Sequence, residues 1–252
     1  MLVLGLDTSS LVCTVAVSRD GVVIAEHLQN TEKTHSQVLV PMIDRVLREA
    51  GIDQGDLNAV AVGQGPGSFT GLRIGMGTAK GLSYGLGIPL VPVPTLDVVA
   101  ANALGFHGLI CPVFDARRKE FYTCSYRGQL EAGAVLPGEV PQRVAPYQAC
   151  SLEELVEALL PQVEDTREPV LVLGNGADKC FTELQARFQE RVVRAPRILD
   201  LPRGGWVALK AEAMLRATGG SGPDYSPLAA APMYLRRSEA EIRWERGHRE
   251  GG

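Results

Sequence analysis

Apolar residues recur along this chain with two different periods, and the switches between them mark out its elements. Residues 2–8, 11–18 and 22–29 are short apolar runs separated by turn residues, and they predict three strands of an antiparallel meander. Asp20-Gly21 is a hairpin signal between the second and third. From His35 the period lengthens. Val38, Met42 and Val46, with Leu39, Ile43 and Leu47 beside them, share one face of a helix over residues 35–50, which Gly51 ends. The run at 59–62 then predicts a buried strand, and glycines at 63, 65 and 67 with Pro66 break it. Ser68 and Thr70 are both cap residues for a helix predicted over residues 70–84. A short strand at 89–93 and a helix from Pro94-Thr95 complete the first half.

The second half repeats the order. Residues 109–115 are an apolar strand ending in Asp115, residues 119–126 its hairpin partner, and residues 129–136 a third strand. A helix over 152–160, capped by Ser151 with Glu153 and Glu154 in its first turn, leads to a strand at 169–174 and helices at 177–188 and 206–218. The duplication lies in the order of elements, not in residue identity. It divides the chain into lobes at 1–105 and 106–218, with the last helix able to pack back on the first lobe. Residues 219–232, rich in Gly, Pro and Ala, read as an extended arm, MYLRR at 233–237 as able to pack on the body, and the charged end at 239–252 as a flexible tail.

The helix after Ser68 carries an unusual load of glycine. Each glycine in a helix interior costs about 1 kcal/mol relative to alanine, so something must offset Gly71, Gly75, Gly77 and Gly81. Gly77, Gly81 and Gly85 follow at i, i+4 and i+8 and share a face. A bare face admits another backbone, either that of the chain's own sheet or a helix of another subunit.

Composition narrows the function classes. Twenty-five Lys and Arg against 29 Asp and Glu leave a net charge of −4, which argues against a protein that grips nucleic acid through its overall field and leaves open a direct tRNA-binding module only through a local basic patch. No apolar run is long enough to span a membrane, and no cleavable leader precedes the first strand, so a cytoplasmic location is expected. Five cysteines without a CxxC, mostly in apolar surroundings, read as reduced core residues.

Candidate chemistry is sparse. Asp7, Thr8, Ser9 and Ser10 end the first strand. They can hold Mg²⁺ or phosphate, or simply satisfy the backbone of a turn. The loop with Gly65, Gly67, Ser68 and Thr70 can cradle an anion at a helix N-terminus, but it is neither a Walker A loop nor a Rossmann fingerprint. A metal pair on the first helix would place a second His four residues after His35, where Leu39 stands. Asp115, Arg117, Arg118, Lys119 and Glu120 form a charged hairpin tip, either solvated or in contact with RNA or a protein, and Arg236 and Arg237 can add to it. No Ser-His-Asp or Cys-His arrangement has supporting spacing, and no strand is both basic and aromatic-rich. No catalytic residue, metal or cofactor is therefore assigned to this chain.

The string GPGSFTGLRIG at residues 65–75, with LGLDTSS near the start, FDARRKEFY in the second half and the late PMYLR, closely resembles the TsaB family, whose members were formerly called glycoprotease homologues. The resemblance covers essentially the whole ordered chain. It implies a two-lobed α/β fold of the actin, hexokinase and Hsp70 type (ASKHA), with mixed sheets flanked by helices. It implies a non-catalytic scaffold or activating subunit that dimerises with TsaD and supports TsaE binding in forming threonylcarbamoyladenosine in tRNA. ATP and metal would sit on those partners, TsaC would supply the threonylcarbamoyl-adenylate, and tRNA would be reached indirectly through the complex. TsaD holds its metal through His-x-x-x-His. The matching stretch here runs from His35 to Leu39, so the second ligand is missing. The family's partner-binding helices fall at 35–50 and 70–84, which points to His35, Val38, Leu39, Met42, Leu72, Gly75, Met76, Gly77 and Gly81 as the interface, and to a homodimer when the partner is absent. The competing reading is an enzyme in its own right, a nucleotide-dependent kinase or ATPase using Asp7 and the Gly65 loop, or a peptidase.

Overall fold

The computed structural model describes residues 1–30, 34–128, 138, 141–166, 168–219 and 225–236. In chain order the first half runs β1 (Leu2–Asp7), β2 (Val12–Arg19), β3 (Val22–Asn30), α1 (His35–Ala50), β4 (Ala59–Gly65), α2 (Phe69–Leu86), β5 (Leu90–Pro94) and α3 (Thr95–Ala101). The second runs β6 (Gly108–Asp115), β7 (Glu120–Thr123), β8 (Tyr126–Gly128), β9 (Gln142–Arg143), β10 (Gln148–Ser151), α4 (Leu152–Thr166), β11 (Val170–Leu173), α5 (Ala177–Phe188), β12 (Val192–Arg194) and α6 (Gly204–Ala217).

The duplication is visible in the sheets. The first has the order β3-β2-β1-β4-β5, with β1 antiparallel to β2 and parallel to β4. The second has the order β10-β7-β6-β11-β12, with β6 antiparallel to β7 and parallel to β11. Each half thus places its first strand at the centre and adds its later strands in parallel on one side. β1 is buried on both faces, as a central strand with helices above and below must be.

Alternation along the strands sorts the core. Leu4, Leu6, Val15 and Val17 pack under α1 and α2 against Leu39, Ile43, Val46 and Met76. Val3, Ala59, Ala61, Val91 and Val93 face the other way, onto Val207, Ala208, Ala211 and Leu215 of α6. The last helix therefore returns to the first lobe. Conversely, α3 presses Leu96, Val99 and Ala100 onto Ile110, Phe114 and Leu173 of the second sheet, while α4 and α5 cover that sheet's other face. The halves exchange helices, so a boundary at residue 105 describes connectivity rather than packing.

Several predicted elements shift. The hairpin partner expected at 119–126 is two strands. β7 pairs β6 at Val113, Phe114 and Asp115, and β8 pairs it at Gly108, Leu109 and Ile110. Pro112, with no N–H to donate, lies in the gap, and the Thr123 hydroxyl donates to its carbonyl at 3.0 Å. The helix expected to stop at 160 continues through Pro161 to Thr166, held by the buried Val163. β10 and β12, of four and three residues, had no prediction. The strand expected at 129–136 and the tail at 239–252 lie outside the described residues. The five cysteines are all buried and unpaired.

The tightest seam is between β1 and α6. A Cβ on Gly5 would lie 2.5 Å from the Gly204 carbonyl oxygen and 2.6 Å from the Ala208 nitrogen. Gly5→Ala should therefore force α6 off the sheet and cost about 1–3 kcal/mol. Gly77→Ala, with nothing within 4 Å of the new carbon, should instead stabilise the isolated chain by up to about 1 kcal/mol. Urea denaturation of the two variants against wild type checks both signs.

Candidate functional site

The residues singled out by sequence converge on one place, the turn joining β1 to β2, and there they mostly satisfy one another. Asp7 is completely buried. Its carboxylate accepts from the Ser9 amide at 2.8 Å, from the Ser9 hydroxyl at 2.7 Å and from the Thr95 hydroxyl at 3.3 Å. The Thr8 hydroxyl donates to the Gly71 carbonyl at 2.8 Å. His35, at the start of α1, meets the Ser10 carbonyl through Nε2 at 2.7 Å, which makes that nitrogen the one bearing hydrogen. The turn is thus bonded to α1, to α2 and to the start of α3.

This closure removes the expected anion cradle. Of the loop's amides, Gly65 donates to the Thr95 hydroxyl, Ser68 to the Ser9 carbonyl and Gly71 to the side chain of its N-cap, Ser68. Glycines spaced by four residues line the turn. A Cβ on Gly63 would strike the Asp7 carboxylate, on Gly67 the Ser9 carbonyl oxygen, on Gly71 that of Thr8, and on Gly75 the Thr8 hydroxyl, all within 2.3 Å. The space beside the loop is filled by the chain's own turn, with a carboxylate at its centre. Burial pushes Asp7 above the usual carboxylate range, against the opposing hydrogen bonds from Ser9. Asp7, Thr8, Ser9, Gly65, Gly67 and Ser68 therefore form an internal clasp and not an open phosphate site. Thr70 stands exposed on the first turn of α2.

The predicted interface residues divide into two sets. Val38, Leu39, Met42, Leu72 and Met76 are buried in the chain's own core, so the apolar faces of α1 and α2 point inward and leave those side chains little to offer a partner. Gly75 packs on Thr8, and His35 belongs to the clasp. Gly77 and Gly81, together with Gly85, have nothing within 4 Å of where a Cβ would stand. The outward surface of this helix layer also exposes Tyr84 on α2 and Val40 on α1. Two grooves of about 480 and 450 Å³ flank the layer, one between β3 and α1, the other between the end of α2 and residues 225–227. Among the described residues no group of three or more His, Cys, Asp or Glu is placed to hold a metal ion, and no helix is long and apolar enough to cross a membrane.

Two clusters had no sequence prediction. Asp97 of α3 accepts from the hydroxyls of Tyr126 at 2.7 Å and Tyr147 at 2.6 Å, joining the first half to the second. At the start of α2, Phe69 and Tyr234 stack with ring centres 4.8 Å apart, and the Arg73 guanidinium lies 3.9 Å from the Phe69 centre. The string PMYLR was the only signal for the second cluster. Residues 233–237 read in sequence as able to pack on the body, but nothing in the string points to α2 as the place.

Comparison with other proteins gives a consistent set of relatives. A family model described as "TsaD: tRNA N6-adenosine threonylcarbamoyltransferase" matches residues 23–244. The chain is 33% identical over 249 residues to the tRNA threonylcarbamoyladenosine biosynthesis protein TsaB of Bacillus subtilis (strain 168), covering 97% of this chain and 98% of that one. It is 42% identical over 205 residues to the protein of the same name from Buchnera aphidicola subsp. Schizaphis graminum, covering 79% and 90%. The solved structure of YeaZ from Pseudomonas aeruginosa matches with a TM-score of 0.74 at 28% identity, over 93% of this chain and 99% of that one.

Asp7 supplies a test of the clasp. A carboxyl whose folded pKa is raised is held more firmly while protonated, so its contribution is greatest below the unfolded pKa and is lost as pH rises through the raised value. Asp7→Asn keeps an acceptor for Ser9 and has no charge to bury. Its stability relative to wild type should improve as pH rises from the ordinary carboxyl value through the raised folded one and then level off, as read by denaturant midpoints against pH.

Proposed function

The chain belongs to the TsaB family, and on that ground we propose that it is the scaffold and activating subunit of a tRNA threonylcarbamoyladenosine-forming complex. In this reading it dimerises with TsaD through the outer face of α1 and α2, supports TsaE binding, forms a homodimer through the same face when alone, and works in the cytoplasm. ATP and metal act on the partner subunits. The repeated strand order of the two sheets supports an actin-, hexokinase- and Hsp70-like (ASKHA) architecture.

The observation that carries the proposal is the outer glycine row. Gly77, Gly81 and Gly85 have open space around them, so no packing within the chain calls for glycine there. The two that lie well inside α2, Gly77 and Gly81, each cost the helix about 1 kcal/mol relative to alanine. A helix backbone from another subunit, approaching closely over these positions, would offset that loss. Gly77, Gly81, Gly85 and Tyr84, with the exposed Val40 of α1, replace Val38, Leu39, Met42, Leu72 and Met76 as the contact residues. The filled loop around Asp7 supports a role without nucleotide turnover.

Reconstitution with TsaD, TsaE, TsaC, ATP, threonine, bicarbonate and unmodified tRNA should yield modified adenosine only when this chain is present. Equal product without it would refute the scaffold role. Gly77→Leu combined with Gly81→Leu should leave the chain folded and abolish the heterodimer in size-exclusion chromatography. A heterodimer of undiminished affinity would remove this face from the interface.

A further inference from the structure

The outer row of α2 continues beyond its glycines, and its charged members are all of one sign. Counting back by fours from Gly85 gives Gly81, Gly77, Arg73 and Phe69, one stripe along the helix. Lys80 stands seven residues after Arg73, which sets it within about 20° of Arg73 around the axis and about 10 Å further along. Arg73 is exposed and Lys80 half-buried. The 18 residues of α2 hold these two cations and no carboxylate.

Neither cation is neutralised from another element. Among the described residues Arg73 and Lys80 enter no ion pair. Arg73 lies over the Phe69 ring, 3.9 Å from its centre, and its Nε is 3.4 Å from the Tyr234 hydroxyl. Tyr234 in turn stacks on Phe69. These contacts hold the guanidinium by its face and one nitrogen and leave its charge unbalanced. The neighbouring helix is different. α1 exposes Asp44, Arg45, Arg48 and Glu49, and they pair off, Arg48 with Asp44 at 2.6 Å and Arg45 with Glu49 at 2.9 Å. Glu49 also meets His27 at 2.6 Å. Within a chain of net charge −4, the flank of the glycine row is therefore locally cationic.

We propose that the partner helix seated on the glycine row is acidic, and that it sets two carboxylates about two turns apart against Arg73 and Lys80. This rests on the docking reading above and adds to it the chemistry of the partner's face. Bare glycines allow close approach but do not choose among helices. Charge supplies the choice, because opposite charges across an interface steer the encounter and reject partners of the wrong sign. Arg73 is already braced by Phe69 and Tyr234, so pairing it costs less side-chain freedom. A second copy of this chain is served worse. Its α2 brings the same two cations, and the carboxylates of its α1 are already paired. The row thus favours an acidic helix over self-association.

Titration of TsaD with this chain over a range of salt tests the proposal. Wild-type affinity should fall as salt rises, because exposed pairs are screened. Arg73→Glu combined with Lys80→Glu should weaken binding about ten- to a hundredfold at low salt and much less at high salt. Arg73→Gln combined with Lys80→Gln, which removes the charges without reversing them, should fall between. Circular dichroism of each variant checks that it is folded. Gly77→Leu combined with Gly81→Leu is titrated alongside. A wild-type affinity indifferent to salt would overturn the acidic partner, as would a Gln variant that loses as much as the Glu variant. If the leucine variant alone fails to bind, the docking reading stands without it. Undiminished binding by the leucine variant would refute the docking reading itself. Self-association of the chain that weakens with salt and is lost in the Glu variant would assign the carboxylates to a second copy and overturn the proposal equally.

Discussion

The structure depends on how closely the β1–β2 turn approaches the end of β4 and the loop and helix that follow it. Gly63, Gly67, Gly71 and Gly75 recur every fourth residue, and each leaves room for an atom of Asp7, Thr8 or Ser9 that a side chain would displace. That approach lets Thr8 reach the Gly71 carbonyl, Ser9 accept from Ser68, and His35 close over Ser10. It adds a shared polar tie to the apolar packing that already seats α1 and α2 on the first sheet. A buried carboxylate is normally a liability, and Asp7 is tolerated because its hydrogen bonds come from within the same knot.

The chain therefore carries two glycine rows with opposite roles. The inner row is filled by the chain itself, and the outer row, from Gly77 onward, meets nothing. The sequence shows that glycines are needed along this stretch, but spacing alone cannot say which row faces the chain's own turn, because that depends on how α2 is rotated over the sheet. The same limit explains the misplaced contact residues. The stripe from Val38 to Leu47 is apolar because it lines the core, and an apolar stripe looks the same whether its cover is internal or external.

Much else was legible. The hairpin at Asp20-Gly21, the cap at Ser68, the Gly51 stop and the doubled order of elements all follow from local chemistry, and the sheets realise them. The losses fall where tertiary bonds decide the outcome. β10 and β12 are too short to show a period, and Pro161 breaks a pattern that Val163 then re-establishes through burial. The column of Arg73, Phe69 and Tyr234 joins residues more than 160 positions apart through the arm, a separation no local pattern spans.

The exchange of α3 and α6 has a mechanical consequence. Two lobes joined by a single crossover would turn about it, but here each sheet rests on a helix inserted from the opposite half. Asp97 bolts α3 to Tyr126 and Tyr147, and the terminal arm is fastened to Gln64 on one side and to Ala116 on the other. Swinging the lobes apart would break all of these at once. The molecule is braced like a truss, with α3, α6 and the arm each spanning the two halves.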